Sequence, residues 1–468
     1  MTAQPIVIHG HLYQPPREDP WTGATMPEPS AAPFHDWNAR ITDECYRPNT
    51  RAEVHHDDGT TTTRDNYGLV SFNLAPTLSA WFAEHEPDLL AGIVRADRAQ
   101  IARTGHGGAI AHPYVHAILP LCNDDDRRTI VRWGVEEFRF RFGREPEGMW
   151  MPETALDLAS LEALAEHGIR FTIVAPYQVL SEDHGAPVRV ALPSGRTIVL
   201  LPYHGALSSL VAFGGGLHDG VRLADEISAG AADRVSTAVV TDMESYGHHH
   251  RFGEMALAVA FERLADAPDL AVTNAAAAVA GTPAVEGMAV APTAWSCAHG
   301  IERWKSDCGC RFTGETAHGQ RWRAPLRTAF DRLRDAVRQL PELRADLGDP
   351  TAARDAYVEV LLDRAAWPAF MRTHVVGSAE RARRWLELQR HLLFMYSSCG
   401  WFFDDAAGHE TLIVLRHALR AVEIVLELGG PDLDPMMSDA LAPMFSDKYG
   451  IDGRAIWAEL SVRDAVLP

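Results

Sequence analysis

The sequence predicts an α/β protein built as a barrel or near-barrel, followed by an α-helical domain. Short β-branched or apolar runs alternate with amphipathic helical stretches, the pattern of parallel βαβ units. Roughly seven such runs recur, which suits barrel closure better than a three-layer nucleotide-binding sheet. Neither a GxGxxG after a strand nor a GxxxxGKS/T loop is present, so no nucleotide site is expected. Beyond about residue 290 the runs stop, and Ala, Leu and Arg recur at helical spacing.

The first run is 6–8, and runs at 108–111, 147–151, 170–174, 197–201, 236–241 and 270–273 follow. Between them 87–103, 126–142, 154–167 and 253–266 read as amphipathic helices. Residues 17–67 break the rhythm. Pro, Asp, Thr and His dominate there, and the stretch is too long for an ordinary connection, so it is read as a loop insertion at the site. Its tip at 54–63 (VHHDDGTTTT) also reads as a mobile surface loop. Helical patterns at 319–344, 351–372, 378–395 and 410–428 fill the C-terminal part, and 283–292 is the expected seam. The expected division is a barrel over 1–290 and a helical domain over 291–468.

Composition excludes several classes. Acids outnumber bases 63 to 43 in 468 residues, a net charge of −20. A phosphate-backbone partner wants the opposite sign, so no nucleic-acid partner is expected. Apolar residues at 46% supply a large core and argue against global disorder. No run reaches the roughly 18–20 apolar residues of a membrane span. The opening MTAQPIVIHG lacks a basic n-region, so neither a signal segment nor a membrane partner is expected. Six cysteines are too sparse for a secreted disulfide framework, and the expected location is cytoplasmic. The oligomeric state is left unassigned.

Two expected strand ends carry carboxylates. In the first, Trp150-Met151-Pro152-Glu153 ends a run and opens a helical pattern. Pro152 and Glu153 also suit a plain helix start, where proline fits the first turn and the dipole favours an acid. In the second, Asp242-Met243-Glu244-Ser245-Tyr246-Gly247 is followed by His248, His249 and His250. Asp242 alone could cap a helix. The density of titratable groups around it points to function. One carboxylate on each of two strand ends is what glycosidic cleavage needs: one attacks or stabilises the anomeric carbon, the other protonates the leaving oxygen.

Histidines cluster in the same way. His9 and His11 end the first run, and His112 and His116 follow the second. Such a set suits either sugar-hydroxyl recognition or a metal.

These motifs resemble glycoside hydrolase family 57, the α-glucan-acting group of amylases, 4-α-glucanotransferases and branching enzymes. Five short regions occur in the family's order: His9-x-His11 with Gln14-Pro15; His112-Pro113-Tyr114 to Leu121; Trp150 to Glu153; Asp242-x-Glu244-x-x-Gly247; and Trp295-Ser296-Cys297 to Glu302-Arg303-Trp304. Residues 1–310 carry the likeness. Two departures stand out. Leu12 and Tyr13 stretch the usual His-x-His-Gln-Pro, and Ala109-Ile110 replace an acidic residue of the second region. The wording resembles a subgroup with a helical C-terminal extension of unknown function.

The resemblance implies an incomplete TIM-like (β/α)7 barrel with a helical C-terminal domain, and a retaining hydrolase or transglycosylase acting on an α-glucan or oligosaccharide. It implies Glu153 as nucleophile and Asp242 as acid/base. His9, His11, Gln14, His112, Trp150, Glu244, His248, Glu302, Trp304 and Asp307 are the candidates to bind substrate, Trp150 and Trp304 as stacking platforms beside acids. No cofactor or catalytic metal is expected on this reading.

Two rival readings are kept. A zinc-dependent barrel hydrolase, deacetylase or α-mannosidase-like, would gather His9, His11, Asp242 and one of His112, His116 or His248 around the metal. A non-catalytic glycan-binding relative would keep the pocket without turnover. Separately, Cys297-x-His299 and Cys308-x-Cys310 lie close in sequence. Zinc sites prefer wider cysteine spacing, and free cysteine is commonly an inert buried residue. Inert thiols are the first expectation there, with a structural zinc left open.

Overall fold

The computed structural model describes residues 3–181, 183, 185–313 and 319–461. The end of the expected helical domain, 462–468, lies outside the described residues. The chain forms two units. The first comprises Met1–Gln14, Met26–Pro113 and Phe138–Ala291, the second Pro15–Thr25, Tyr114–Glu137 and Pro292–Pro468. The division expected from sequence was a single cut. In the structure, two excursions from the N-terminal half, 15–25 and 114–137, belong to the second unit.

The first unit is a ring of parallel strands. Strand β1 (Gln4–Leu12) is buried from Ile6 onward, as its unbroken apolar start requires. Its C-terminal half pairs with β2 (Ser71–Leu74), which pairs with β3 (Ala109–Ile110). Ala111 then bridges Met149, and Gly148 bridges Phe171 of β4 (Phe171–Val174). β4 pairs with β5 (Thr197–Pro202). The amide of His204, just past β5, donates to Ala238 O of β6 (Thr237–Asp242) at 2.7 Å. β6 returns to β1. A further strand, β7 (Leu270–Thr273), pairs with the N-terminal half of β1. The expected (β/α)7 barrel is thus present, with short third and fourth staves and β1 shared between two partners on different halves.

Helices fill the connections as their patterns require. Pro87–Thr104 ends on a left-handed Gly105, and Gly253–Ala265 packs against Gly220–Ala231. The 17–67 insertion carries regular structure of its own. Asp36 caps the helix Trp37–Ile41 through Ala39 N. Residues 52–55 and 61–64 form an antiparallel hairpin. Its alternation puts Ala52 and Val54 inward against Ala258, while Glu53 and His55 face out. That half-apolar face is the signal that composition alone obscured.

The second unit is helical, as expected. Ala379–Phe394 and His409–Glu427 pack along one another. Buried Trp401 donates its indole N–H to Arg323 O at 3.1 Å, and Trp133 donates to Arg354 O at 3.1 Å. Among the described residues no helix is long and apolar enough to cross a membrane.

Candidate active site

Strand register assembles the site. In the β1–β2 pair, His9 lies beside Ser71 and His11 beside Asn73. In the β1–β6 pair, His11 lies beside Asp242. Residues two apart on a strand face the same way, so both imidazoles reach the same neighbour. The Asn73 amide oxygen is 3.2 Å from His9 Nε2 and 3.1 Å from His11 Nδ1. Ser71 Oγ is 3.2 Å from the other ring nitrogen of His9.

Burial keeps these rings neutral. Loss of solvent lowers the His9 pKa to about 3, against a smaller upward pull from Asn73. His11 falls to about 4 for the same reason, and His112 is driven well below its ordinary value. The rings also stack. His11 lies 4.9 Å from Trp150, 5.6 Å from His112 and 5.9 Å from Tyr13, all near parallel. Trp150 and His112 are buried, so this is a wall of fixed, uncharged rings. The stacking platform expected of Trp150 is occupied by His9 and His11 themselves.

Glu153 is placed by strain. The residues after the bridging segment at Gly148 and Met149 form a tight turn, Pro152–Thr154, not the first turn of a helix. Glu153 and Thr154 both take left-handed backbone angles, φ 57° and 49°. Each such non-glycine residue costs on the order of 1–3 kcal/mol and persists only where its surroundings hold it. The holder is Gln178. Its Nε2 donates to Thr154 O at 2.9 Å, and its Oε1 accepts from Thr154 Oγ1 at 2.9 Å and from Ala175 N at 2.8 Å. The helix begins later, at Leu158, with Asp157 as its cap. The plain capping reading of Glu153 is therefore incorrect.

Asp242 ends β6 without capping the turn that follows. It is reached by solvent, yet protein surrounds it closely enough to push its pKa up to about 7. Burial is the largest cause, followed by the charges of Glu244 and Glu153; His249 pulls the other way. Glu153 is near enough to Asp242 for its charge to act on it.

Glu244 is held by several groups. Gln14 donates to Oε1 at 2.6 Å, Tyr46 Oη donates to the same oxygen at 3.4 Å, and His249 Nε2 is 3.4 Å from Oε2. Burial opposes protonation of His249, but Glu244 and Asp242 outweigh it and raise its pKa. His248 pairs with Glu44 of the insertion. Gly247 sits at φ 148°, and a Cβ there would lie 2.4 Å from Glu44 O, so this motif position admits only glycine.

Not every expected residue falls in this unit. Glu302, Trp304, Asp307 and His116 belong to the second. There Trp304 is fully buried and presents no ring face to solvent. Glu302 is engaged with Lys305 at 2.8 Å and Ser306 at 2.7 Å, and His116 Nδ1 is 2.7 Å from Ser398 Oγ. Of the ligands the rival metal reading would use, His9 and Asp242 belong to no metal-capable grouping among the described residues, whereas His11, His112, His116 and His248 do. Sequence reasoning missed Asn73, Gln178, Tyr46 and Glu44. Asn73 lies within a four-residue run too short to read as a strand, and Gln178 lies outside any motif.

Comparison with known proteins places the fold. Glycosyl hydrolase family 57 matches residues 6–280, and a domain of unknown function (DUF3536) matches 318–467. No curated protein sequence matches significantly. Among solved structures, an exo-type maltose-forming amylase of Pyrococcus sp. ST04 superposes with TM-score 0.74 at 13% identity, covering 97% of this chain and 88% of its own. A family 57-type branching enzyme of Pyrococcus horikoshii gives 0.57 at 12% identity, covering 94% of each chain. A 4-α-glucanotransferase of Thermococcus litoralis gives 0.56 at 14%, covering 90% of this chain and 60% of its own. The family match spans more than half of the chain and includes Glu153, Asp242 and the histidine wall; the chain belongs to glycosyl hydrolase family 57 and is an enzyme of the glycoside hydrolase or transglycosylase kind.

Proposed function

We propose that the barrel cleaves α-glucans with retention of configuration, as a hydrolase or transglycosylase of the amylase, 4-α-glucanotransferase or branching type. Glu153 is the nucleophile and Asp242 the general acid/base. The observation that carries this reading is that Asp242, at the end of β6, lies within electrostatic reach of Glu153. Asp242 is pushed up to about 7 by burial and by its acidic neighbours, so it holds a proton near neutral pH. A retaining pair needs one such acid and one ionised nucleophile about 5–5.5 Å apart.

Asp242 gives its proton to the glycosidic oxygen as Glu153 attacks the anomeric carbon, and the leaving sugar departs with that proton. Asp242, now ionised, takes a proton from the incoming hydroxyl, which displaces Glu153. Water gives hydrolysis and a sugar hydroxyl gives transfer. Neutral His11 and His112 suit hydrogen bonding to uncharged sugar hydroxyls, since no buried charge needs compensation, whereas the expected ligand His9 is fully buried with both ring nitrogens already on Ser71 and Asn73 and serves to position them. Gln14, Glu244 and His248 line the same mouth as further ligands of the sugar.

The test is chemical rescue on malto-oligosaccharides. Glu153→Ala abolishes turnover, and azide restores it with a β-configured glycosyl azide as product. An α-configured azide, or near-native activity without azide, overturns the assignment. Oligosaccharide binding that Glu153→Gln leaves intact, with no turnover by the native chain on any α-glucan, supports the binding-protein reading instead.

A further inference from the structure

The second unit carries a cluster that the glycosidic chemistry does not use. We propose that Cys297, His299, Cys308 and Cys310 bind one structural zinc ion. One ligand atom from each of the four lies within 4.8 Å of every other. Cys297 Sγ is 4.0 Å from Cys308 Sγ and 3.9 Å from Cys310 Sγ, and Cys310 Sγ is 3.5 Å from His299 Nδ1. A tetrahedral ion with Zn–S of about 2.3 Å and Zn–N of about 2.0–2.1 Å requires S···S edges near 3.8 Å and S···N edges near 3.6 Å. The observed edges match that tetrahedron within a few tenths of an ångström.

The surroundings are those of a closed structural site. Three thiols and one imidazole make a Cys₃His set, the donor chemistry of structural zinc, with no carboxylate among them. Inert buried thiols are a poor description. Cys297 is buried, but Cys308 and Cys310 are half-exposed and His299 is exposed. A disulfide would use two of three near-equivalent sulfurs and leave the third.

The backbone is shaped for convergence. Gly309 takes φ 82° between Cys308 and Cys310, a left-handed turn that lets two thiols separated by a single residue face one centre. Arg323 donates to Cys310 O at 3.0 Å, and Arg303 donates to Ser296 O at 3.0 Å. Asp404 accepts from Phe312 N at 3.0 Å and Thr313 N at 2.9 Å. Both ligand loops are thus pinned through their backbones, the support a metal's first ligands need. The ion would close the segment that contains Glu302, Trp304 and Asp307, so it acts as the clasp of the fifth motif.

The test uses the full chain, purified in reductant without chelator. Elemental analysis gives about one zinc per chain. Cys308→Ser/Cys310→Ser reduces it to near zero, while Cys122→Ser leaves it unchanged. Replacement by Co²⁺ gives tetrahedral d–d bands and a thiolate charge-transfer band, and His299→Cys keeps the metal and strengthens that band. Should the double variant be insoluble, the native chain's zinc content and cobalt spectrum decide alone. Native protein that holds no zinc and takes up Co²⁺ without thiolate bands overturns the proposal. So does zinc that stays stoichiometric in the double variant.

Discussion

Gln178 grips Thr154 from both sides: its Nε2 donates to the Thr154 carbonyl at 2.9 Å, and its Oε1 accepts the Thr154 hydroxyl at 2.9 Å. Thr154 and Glu153 are the consecutive left-handed residues of the barrel unit. The clamp therefore holds the turn that sets the position of Glu153.

Gln178→Leu removes three hydrogen bonds from a fully buried position. At about 1 kcal/mol net each, the loss is about 3 kcal/mol, read as a lower midpoint in denaturant unfolding. Gln178→Glu keeps the shape and loses the donor to Thr154 O. It is expected to lower kcat by tenfold or more with KM nearly unchanged, because Glu153 is mispositioned. An equal loss in Gln178→Leu stability with native kcat in both variants would show that the clamp serves folding only.

Gly247→Ala puts a Cβ 2.4 Å from Glu44 O and 2.8 Å from Cys45 Cα. Neither atom can yield without moving the insertion's Glu44, which pairs with His248. We expect a destabilisation of about 1–3 kcal/mol, as for other overpacked sites. Thermal unfolding of the purified variant measures it, and an unchanged Tm would exclude the steric reading.

Asp97 and Arg144 form a two-pronged ion pair, Nε to Oδ2 at 2.9 Å and Nη2 to Oδ1 at 2.8 Å. Asp97 also accepts from Ala109 N, and Arg144 donates to Ala109 O, so the pair grips the edge of β3. Asp97→Ala strands a guanidinium that is mostly buried, at a cost of about 3–5 kcal/mol. Replacing both residues by apolar ones is expected to cost less than Asp97→Ala alone, a difference that a double-mutant cycle reads.

The pH response follows from opposite shifts. Asp242 is raised from 3.8 to about 7 in the folded chain, so the folded state binds more protons between those values. Its contribution to stability is lost as pH rises through that window. Asp242→Asn is therefore expected to stabilise the protein above about pH 7, by about 1 kcal/mol once solvent screening of an accessible carboxylate is allowed for. The gain fades toward pH 4. No such pH-dependent difference between variant and native unfolding would contradict the shift.

His9 and His11 work the other way. Their folded pKa values, about 3 and about 4, lie below the ordinary 6.5, so the unfolded chain binds more protons in between. Stability is present above about pH 6.5 and falls below it by up to about 1.4 kcal/mol per pH unit for each histidine. His11→Gln should flatten the acid limb by one such share. An acid limb as steep in the variant as in the native chain would show that His11 is not the titrating group.

Much of this was legible in the sequence. The alternation of runs and helices anticipates the barrel, because parallel staves buried on both faces must be apolar throughout. The carboxylates were legible because acids directly after such runs land at one end of a barrel. The hydrogen-bonded partners were not. Asn73 meets two histidines only through strand register, which a residue pattern does not encode. Gln178 reaches Thr154 across a neighbouring crossover. The hairpin at 52–64 escaped because its inward face is just two small residues deep, Ala52 and Val54.

The polypeptide changes allegiance at 14/15, 25/26, 113/114, 137/138 and 291/292. Trp133, translated long before Arg354, waits for that carbonyl to complete its indole bond. A gene truncated at codon 290 would therefore leave 15–25 and 114–137 without the rest of their unit. Swapping either unit for a homologous part means exchanging three stretches of gene in concert.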